Sequence, residues 1–209
     1  VGLAYADAGV PTAAVVACPN LAYPVFTGHE DSRALGSLFL AAAGRGAWVE
    51  ALPLGTPESA AAAATAPPRH RIHVAGHVTR GGDAVMAGSW EPSHSDQSIA
   101  AGVVASLGIT APPLRLDSMA KYGLLARGEA TLLVRFPKPD YAEKVWDQAA
   151  GYVLVREAGG TVTDAFGAPL DFTRGATLSA NTGVVASNGA LHAAVLAAVA
   201  AANPWPRPS

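Results

Sequence analysis

The chain has 209 residues, half of them apolar, with 14 basic and 16 acidic side chains. That is ample material for a buried core, as one domain or two small ones. The near-neutral balance has no basic stripe of the kind that binds nucleic acid, so any nucleotide partner is a small molecule. No apolar run reaches the roughly 18 residues of a membrane span, and a single cysteine, Cys18, rules out an internal disulfide and fits a reducing, intracellular setting.

In chain order, residues 1–6, 12–18 and 23–28 are short apolar or β-branched runs broken by Gly9, Pro11, Pro19-Asn20 and Gly28. They read as antiparallel strands joined by tight turns. Cys18 lies in one of these runs and reads as an inert core residue. Ser37–Ala43 and Ala47–Leu52 flank Gly44-Arg-Gly46 and predict a hairpin. Residues 55–69 are rich in Ala and Pro and predict a linker or exposed loop. Arg71–Ala75 reads as a new strand that opens a second unit. Then come a helix over Ser98–Leu107, a short strand at Leu114–Leu116, a helix over Ala120–Arg127 closed by Gly128, and a strand over Thr131–Phe136. A helix over 147–157, strands at 160–163 and 183–186, and a helix over 190–202 complete the pattern. Alternating strands and helices argue for a layered α/β unit. The expected division is 1–54 as the remainder of an antiparallel-sheet domain, 55–69 as linker, 70–202 as an α/β domain and 203–209 as a tail.

The stretch Trp146-Asp147-Gln-Ala-Ala-Gly151, running on to Glu157-Ala-Gly-Gly160, is the most informative. Ala149, Ala150 and Gly151 allow close helix packing, and Gly159-Gly160 ends the helix. An acid in the first turn meets unpaired N–H groups and the positive helix end, and stays ionised as a metal ligand must. On spacing alone, Asp147 reads first as an N-cap. Trp146 reads as a packing anchor behind it, and Tyr122 as a core residue. Lys138, Glu143 and Lys144 read as surface charges.

The words Asp117-Ser-Met-Ala-Lys121-Tyr, Leu133-Val-Arg135-Phe-Pro-Lys138, Trp146-Asp147, Glu-Ala-Gly-Gly and Pro169-Leu-Asp-Phe172 occur in that order. Together they resemble the C-terminal half of the 3'(2'),5'-bisphosphate nucleotidases, within the magnesium-dependent inositol monophosphatase superfamily. The resemblance is strongest from Ser93 to Asn188. It implies a layered αβαβα sandwich with its N-terminal part missing. It also implies that Asp147 is a Mg²⁺ ligand and that Ser118, Lys121 and Arg135 contact the nucleotide. Without it, Ser118 reads as a helix cap and the two cations as solvated charges. Ser93-His-Ser-Asp-Gln97 matches a His-Ser-Ser-His-Asp word of close relatives imperfectly: Glu91 replaces the first His, and His94 stands at the second. His94 is then either a substitute substrate contact or an exposed loop residue.

The superfamily's metal site also uses an upstream Glu and an Asp-Pro-x-Asp-Gly-Thr/Ser word, and none of the nine aspartates here stands in such a word. The chain therefore reads as part of a longer enzyme, inactive by itself. The implied reaction is Mg²⁺-dependent removal of the 3'-phosphate from 3'-phosphoadenosine 5'-phosphate to give AMP, with 3'-phosphoadenylyl sulfate as a second substrate. That would place the protein in sulfate assimilation. A non-catalytic nucleotide-binding or interaction module is the alternative, and an inositol phosphate phosphatase the lesser one.

Overall fold

The structure, a computed structural model, describes residues 1–23, 36–52, 68–91, 97–136 and 141–202. The first five strands are β1 (Gly2–Asp7), β2 (Val10–Cys18), β3 (Gly36–Ala42), β4 (Gly46–Leu52) and β5 (His70–Ile72). They form one antiparallel sheet in the order β1-β2-β3-β4-β5. Side chains alternate across it, as the two-residue period requires. Val16, Phe39, Ala47 and Val49 point into the core, while Leu3 and Tyr5 are exposed.

The second sheet contains β6 (Met86–Gly88), β7 (Leu114–Arg115), β8 (Leu132–Arg135), β9 (Thr161–Thr163) and β10 (Val184–Ser187), in the order β7-β6-β8-β10-β9. β6 runs parallel to β7 and β8, whereas β10 is antiparallel to β8 and β9. Both faces of this sheet are covered, so its central strands are apolar except at the ends, where β8 finishes at Arg135 and β10 at Ser187. Leu133, Val184 and Ala186 face one core, and Leu132, Val134 and Val185 face the other.

Four helices complete the described residues: α1 (Gln97–Leu107), α2 (Ala120–Ala126), α3 (Val145–Glu157) and α4 (His192–Ala202). α2 and α3 lie between the two sheets, with α3 packed on β1–β4 and β9. α1 and α4 pack together on the outer face of the second sheet, with Ile99, Val103, Val195 and Val199 fully buried. The layers are sheet, helices, sheet, helices, an α/β sandwich as the sequence predicts. None of the described helices is long and apolar enough to cross a membrane.

The structure departs from the expected elements in instructive places. His70–Ile72 pairs with β4, so this segment closes the first sheet and does not open the second unit. α3 starts at Val145, two residues before the expected start, because the backbone before it is already held: Leu178 N–H donates to the Glu143 carbonyl at 2.8 Å and Val145 N–H to Ala176 at 3.1 Å. Gly159 does end α3, with a left-handed φ of +92° that a side chain would disfavour. The expected strand at 23–28, most of the Ala/Pro-rich linker and the 203–209 tail lie outside the described residues, as do His94 and Lys138.

Candidate active site

Three separate segments build the site. The first is the entry to α3. Its N-cap is Lys144, in extended conformation and without a side-chain cap bond. Asp147 therefore occupies the third helical position and is not the cap. Its carboxylate is half-buried on the wall of a cavity of about 750 Å³. No hydrogen bond or ion pair from the described residues engages that carboxylate. A hard oxygen donor at a helix N-terminus, open to a cavity, suits a divalent cation. Among the described residues, no three His, Cys, Asp or Glu side chains cluster to hold a metal.

The second segment leads into α2. Ser118 has a φ of +62°, a left-handed conformation that costs a serine about 1–3 kcal/mol. Its hydroxyl stands 3.5 Å from the Ala120 N–H and lines the same cavity. Lys121 is not a solvated charge. It is only 3% exposed, and its Nζ donates to the Leu116 carbonyl at 3.2 Å. Burial, reinforced by the Arg135 charge and opposed by Asp117 and Glu143, lowers its pKa to about 8.

The third segment is the end of β8, where Arg135 reaches the cavity. Its Nε donates to Glu143 Oε1 at 2.7 Å. Glu143 Oε2 accepts from Gln148 Nε2 at 2.6 Å, and Gln148 Oε1 accepts from the Tyr122 hydroxyl. Burial, and then the Glu143 charge, hold the Tyr122 phenol above its ordinary pKa. Glu143 is 3% exposed, so the expectation of a surface charge there is wrong. A carboxylate is tolerated at that depth because both of its oxygens are satisfied and one partner is a cation.

Ser118, Lys121, Arg135 and Asp147 thus share one cavity, lined also by Val1 and by Gly2 and Val16–Cys18 of the first sheet. Burial raises the Cys18 thiol pKa, in keeping with an inert wall residue. Trp146 is 60% exposed and Tyr141 41%, and both line the cavity. Trp146 is therefore not a buried anchor: α3 is fixed by its backbone ties to 176–178, which frees the indole. The Gly44-Arg-Gly46 turn receives Glu157, whose Oε1 and Oε2 accept the Gly44 and Gly46 N–H groups at 3.1 and 2.9 Å. Glu157 is accordingly committed to the hairpin, not to the cavity.

The model of the inositol monophosphatase family matches residues 1–203. The chain is 39% identical over 202 residues to the 3'(2'),5'-bisphosphate nucleotidase of Oryza sativa, covering 95% of this chain and 53% of that protein. It is 52% identical over 117 residues to the protein of the same name from Emericella nidulans, covering 56% of this chain and 33% of the other. The chain thus spans about half the length of the curated relatives it matches along most of its length. Among solved structures, Mycobacterium tuberculosis SuhB superposes with a TM-score of 0.60 at 21% identity, covering 97% of this chain and 64% of that one, which shows a shared fold.

Proposed function

The chain belongs to the inositol monophosphatase family, and from that premise we propose that it serves a Mg²⁺-dependent phosphomonoesterase. The proposed reaction removes the 3'-phosphate of 3'-phosphoadenosine 5'-phosphate to give AMP, with 3'-phosphoadenylyl sulfate as a second substrate. Curated relatives at 32–39% identity over more than nine-tenths of the chain carry nucleotidase names. The observation that carries the reading is the convergence of Ser118, Lys121, Arg135 and Asp147 on one cavity of about 750 Å³, large enough for a nucleotide.

Each residue has a distinct task in this reading. Arg135 and Lys121 supply positive charge to phosphate groups, the guanidinium through directed N–H bonds and the ammonium as a point charge. Ser118 supplies a hydroxyl at the same wall. Asp147 holds one cation. A bound Mg²⁺ would neutralise phosphoryl charge and lower the pKa of a water. One carboxylate does not hold the metals that phosphoryl transfer uses, so the reading requires further ligands besides Asp147. Lys121 and Arg135 do not depend on that metal for their placement, since Leu116 and Glu143 already hold them.

The test is phosphate release by the purified full-length protein in Mg²⁺, with 3'-phosphoadenosine 5'-phosphate and an inositol monophosphate side by side. Preferential release from the nucleotide is expected. Faster release from the inositol ester would move the assignment to that substrate class. Calorimetric binding of the nucleotide without turnover would identify a binding module.

A further inference from the structure

We propose that Glu143 is the positioning residue that couples the substrate arginine to the metal-bearing end of α3. This rests on the phosphatase reading above and adds a residue that does not itself touch substrate. The carboxylate stands between three elements. One oxygen takes the Nε–H of Arg135, at the end of β8. The other takes the side-chain amide of Gln148, which adjoins Asp147 in the first turn of α3. Gln148 in turn accepts the Tyr122 hydroxyl from α2. Glu143's own carbonyl is fixed by Leu178 N–H at 2.8 Å, so the residue is held at both ends.

The geometry has two consequences. First, the bond to Nε uses the inner edge of the guanidinium and fixes its rotation. Among the described residues, no partner takes the terminal amines of Arg135, whose side chain keeps 21% of its exposure, and they are placed to meet an anion. An arginine without this tether would lose rotamer freedom on binding phosphate, and its affinity would fall accordingly. Second, Arg135 and Asp147 lie on different elements, so the distance between a held phosphate and a held cation depends on what ties β8 to α3. Glu143 and Gln148 provide a direct side-chain tie there. Because both carboxylate oxygens are engaged, Glu143 acts through its neighbours and not as a general base.

The experiment uses the longer enzyme of which this chain is read as a part, with three variants in this chain: Glu143→Gln, Arg135→Ala and the double variant. Glu143→Gln keeps the shape and one acceptor oxygen but removes the charge, and its amide N–H₂ faces a donor. The KM for 3'-phosphoadenosine 5'-phosphate should rise roughly tenfold or more with kcat changed much less, since ground-state positioning is lost. The KM for p-nitrophenyl phosphate, which has no second phosphate to place, should change less. The double variant should be no worse than Arg135→Ala, because the two residues act as one unit. Circular dichroism and the thermal midpoint identify any variant that fails to fold. For such a variant, Glu143→Asp, which keeps the charge but shortens the reach, replaces Glu143→Gln with the same expectation. An unchanged nucleotide KM, equal losses on both substrates or additive losses in the double variant would overturn the inference. A wild-type longer enzyme that neither hydrolyses nor binds the nucleotide would overturn the phosphatase reading itself, and this inference with it.

Discussion

Asp147 and Lys121 show how far single residues carry the proposed chemistry. Asp147 is the third residue of α3 and leaves its carboxylate to the cavity. Asp147→Asn keeps the volume and removes the charge a hard cation needs. In the full-length protein, turnover should fall on the order of 100-fold, about 2.7 kcal/mol of barrier, and calorimetry should show weakened Mg²⁺ binding. Full turnover at ordinary Mg²⁺ would remove Asp147 from the ligand set. Lys121 gives a pH prediction in two parts. Its folded pKa of about 8 lies below the ordinary 10.5. Between these values the unfolded chain binds more protons than the folded one, so this group's contribution to stability rises with pH across that window and is lost as pH falls through 8. Phosphate binding needs the ammonium form and should change in the opposite sense, with nucleotide KM rising above pH 8. In Lys121→Arg that rise should disappear; a rise that persists belongs to another group. The words around Ser118, Lys121, Arg135 and Asp147 mark these positions in the sequence, and the structure sets all four on the wall of one cavity. Glu143 was not legible, because it lies beside Lys144 in the sequence and its partner Arg135 is eight positions away on another element. No local pattern marks a carboxylate that burial alone makes important.

Elements were legible where period and punctuation agree, and less so where tertiary ties set the ends. The glycine pair after Glu157 predicted the end of α3 because a left-handed residue is needed there. The start was misread because no capping side chain marks it; the backbone bonds to 176–178 do that work. β5 pairs with β4 where the sequence suggests the opening of a second unit, for a related reason: three residues, His70–Ile72, carry too little period to name a partner strand. The α2–α3 contact depends on Gly151, whose missing side chain makes room for the Tyr122 ring; an added methyl would overlap ring atoms. That ring is buried and tethered through its hydroxyl to Gln148, so it cannot swing aside. Gly151→Ala gains about 1 kcal/mol of helix propensity but should lose more to overpacking, about 1–3 kcal/mol. Urea denaturation should show a lower midpoint, and turnover should fall too, because the displaced ring carries Gln148 with it. A midpoint that stays level or rises would mean that the α2–α3 layer yields.

At the scale of the whole molecule, α3 is the element both halves share: its first turn borders the cavity, and its last side chain holds the first sheet. Glu157 grips the β3–β4 turn through two N–H groups more than 110 positions away in sequence. A carboxylate at a helix C-terminus meets the negative end of the dipole, a cost of about 0.3–1 kcal/mol when exposed. Two charge-assisted bonds outweigh that cost, at about 1.5–3 kcal/mol each. The glycines at 44 and 46 both have left-handed φ, +70° and +84°, so the turn is preset to present its N–H groups. Glu157→Ala should therefore destabilise the protein by about 1–3 kcal/mol, mainly through the half-buried Gly46 N–H left unpaired, since the exposed Gly44 N–H regains water. Glu157→Gln, which keeps one acceptor and loses the dipole penalty, should lose less. Neither change reaches the cavity end of α3, which its own backbone bonds to 176–178 hold in place. Well below the thermal midpoint, kcat/KM should stay within about twofold of wild type, while the midpoint falls by about 2–4 °C for each kcal/mol lost. If activity instead falls in step with stability, the hairpin and the cavity are joined by a rigid α3, and the two ends of that helix act as one unit.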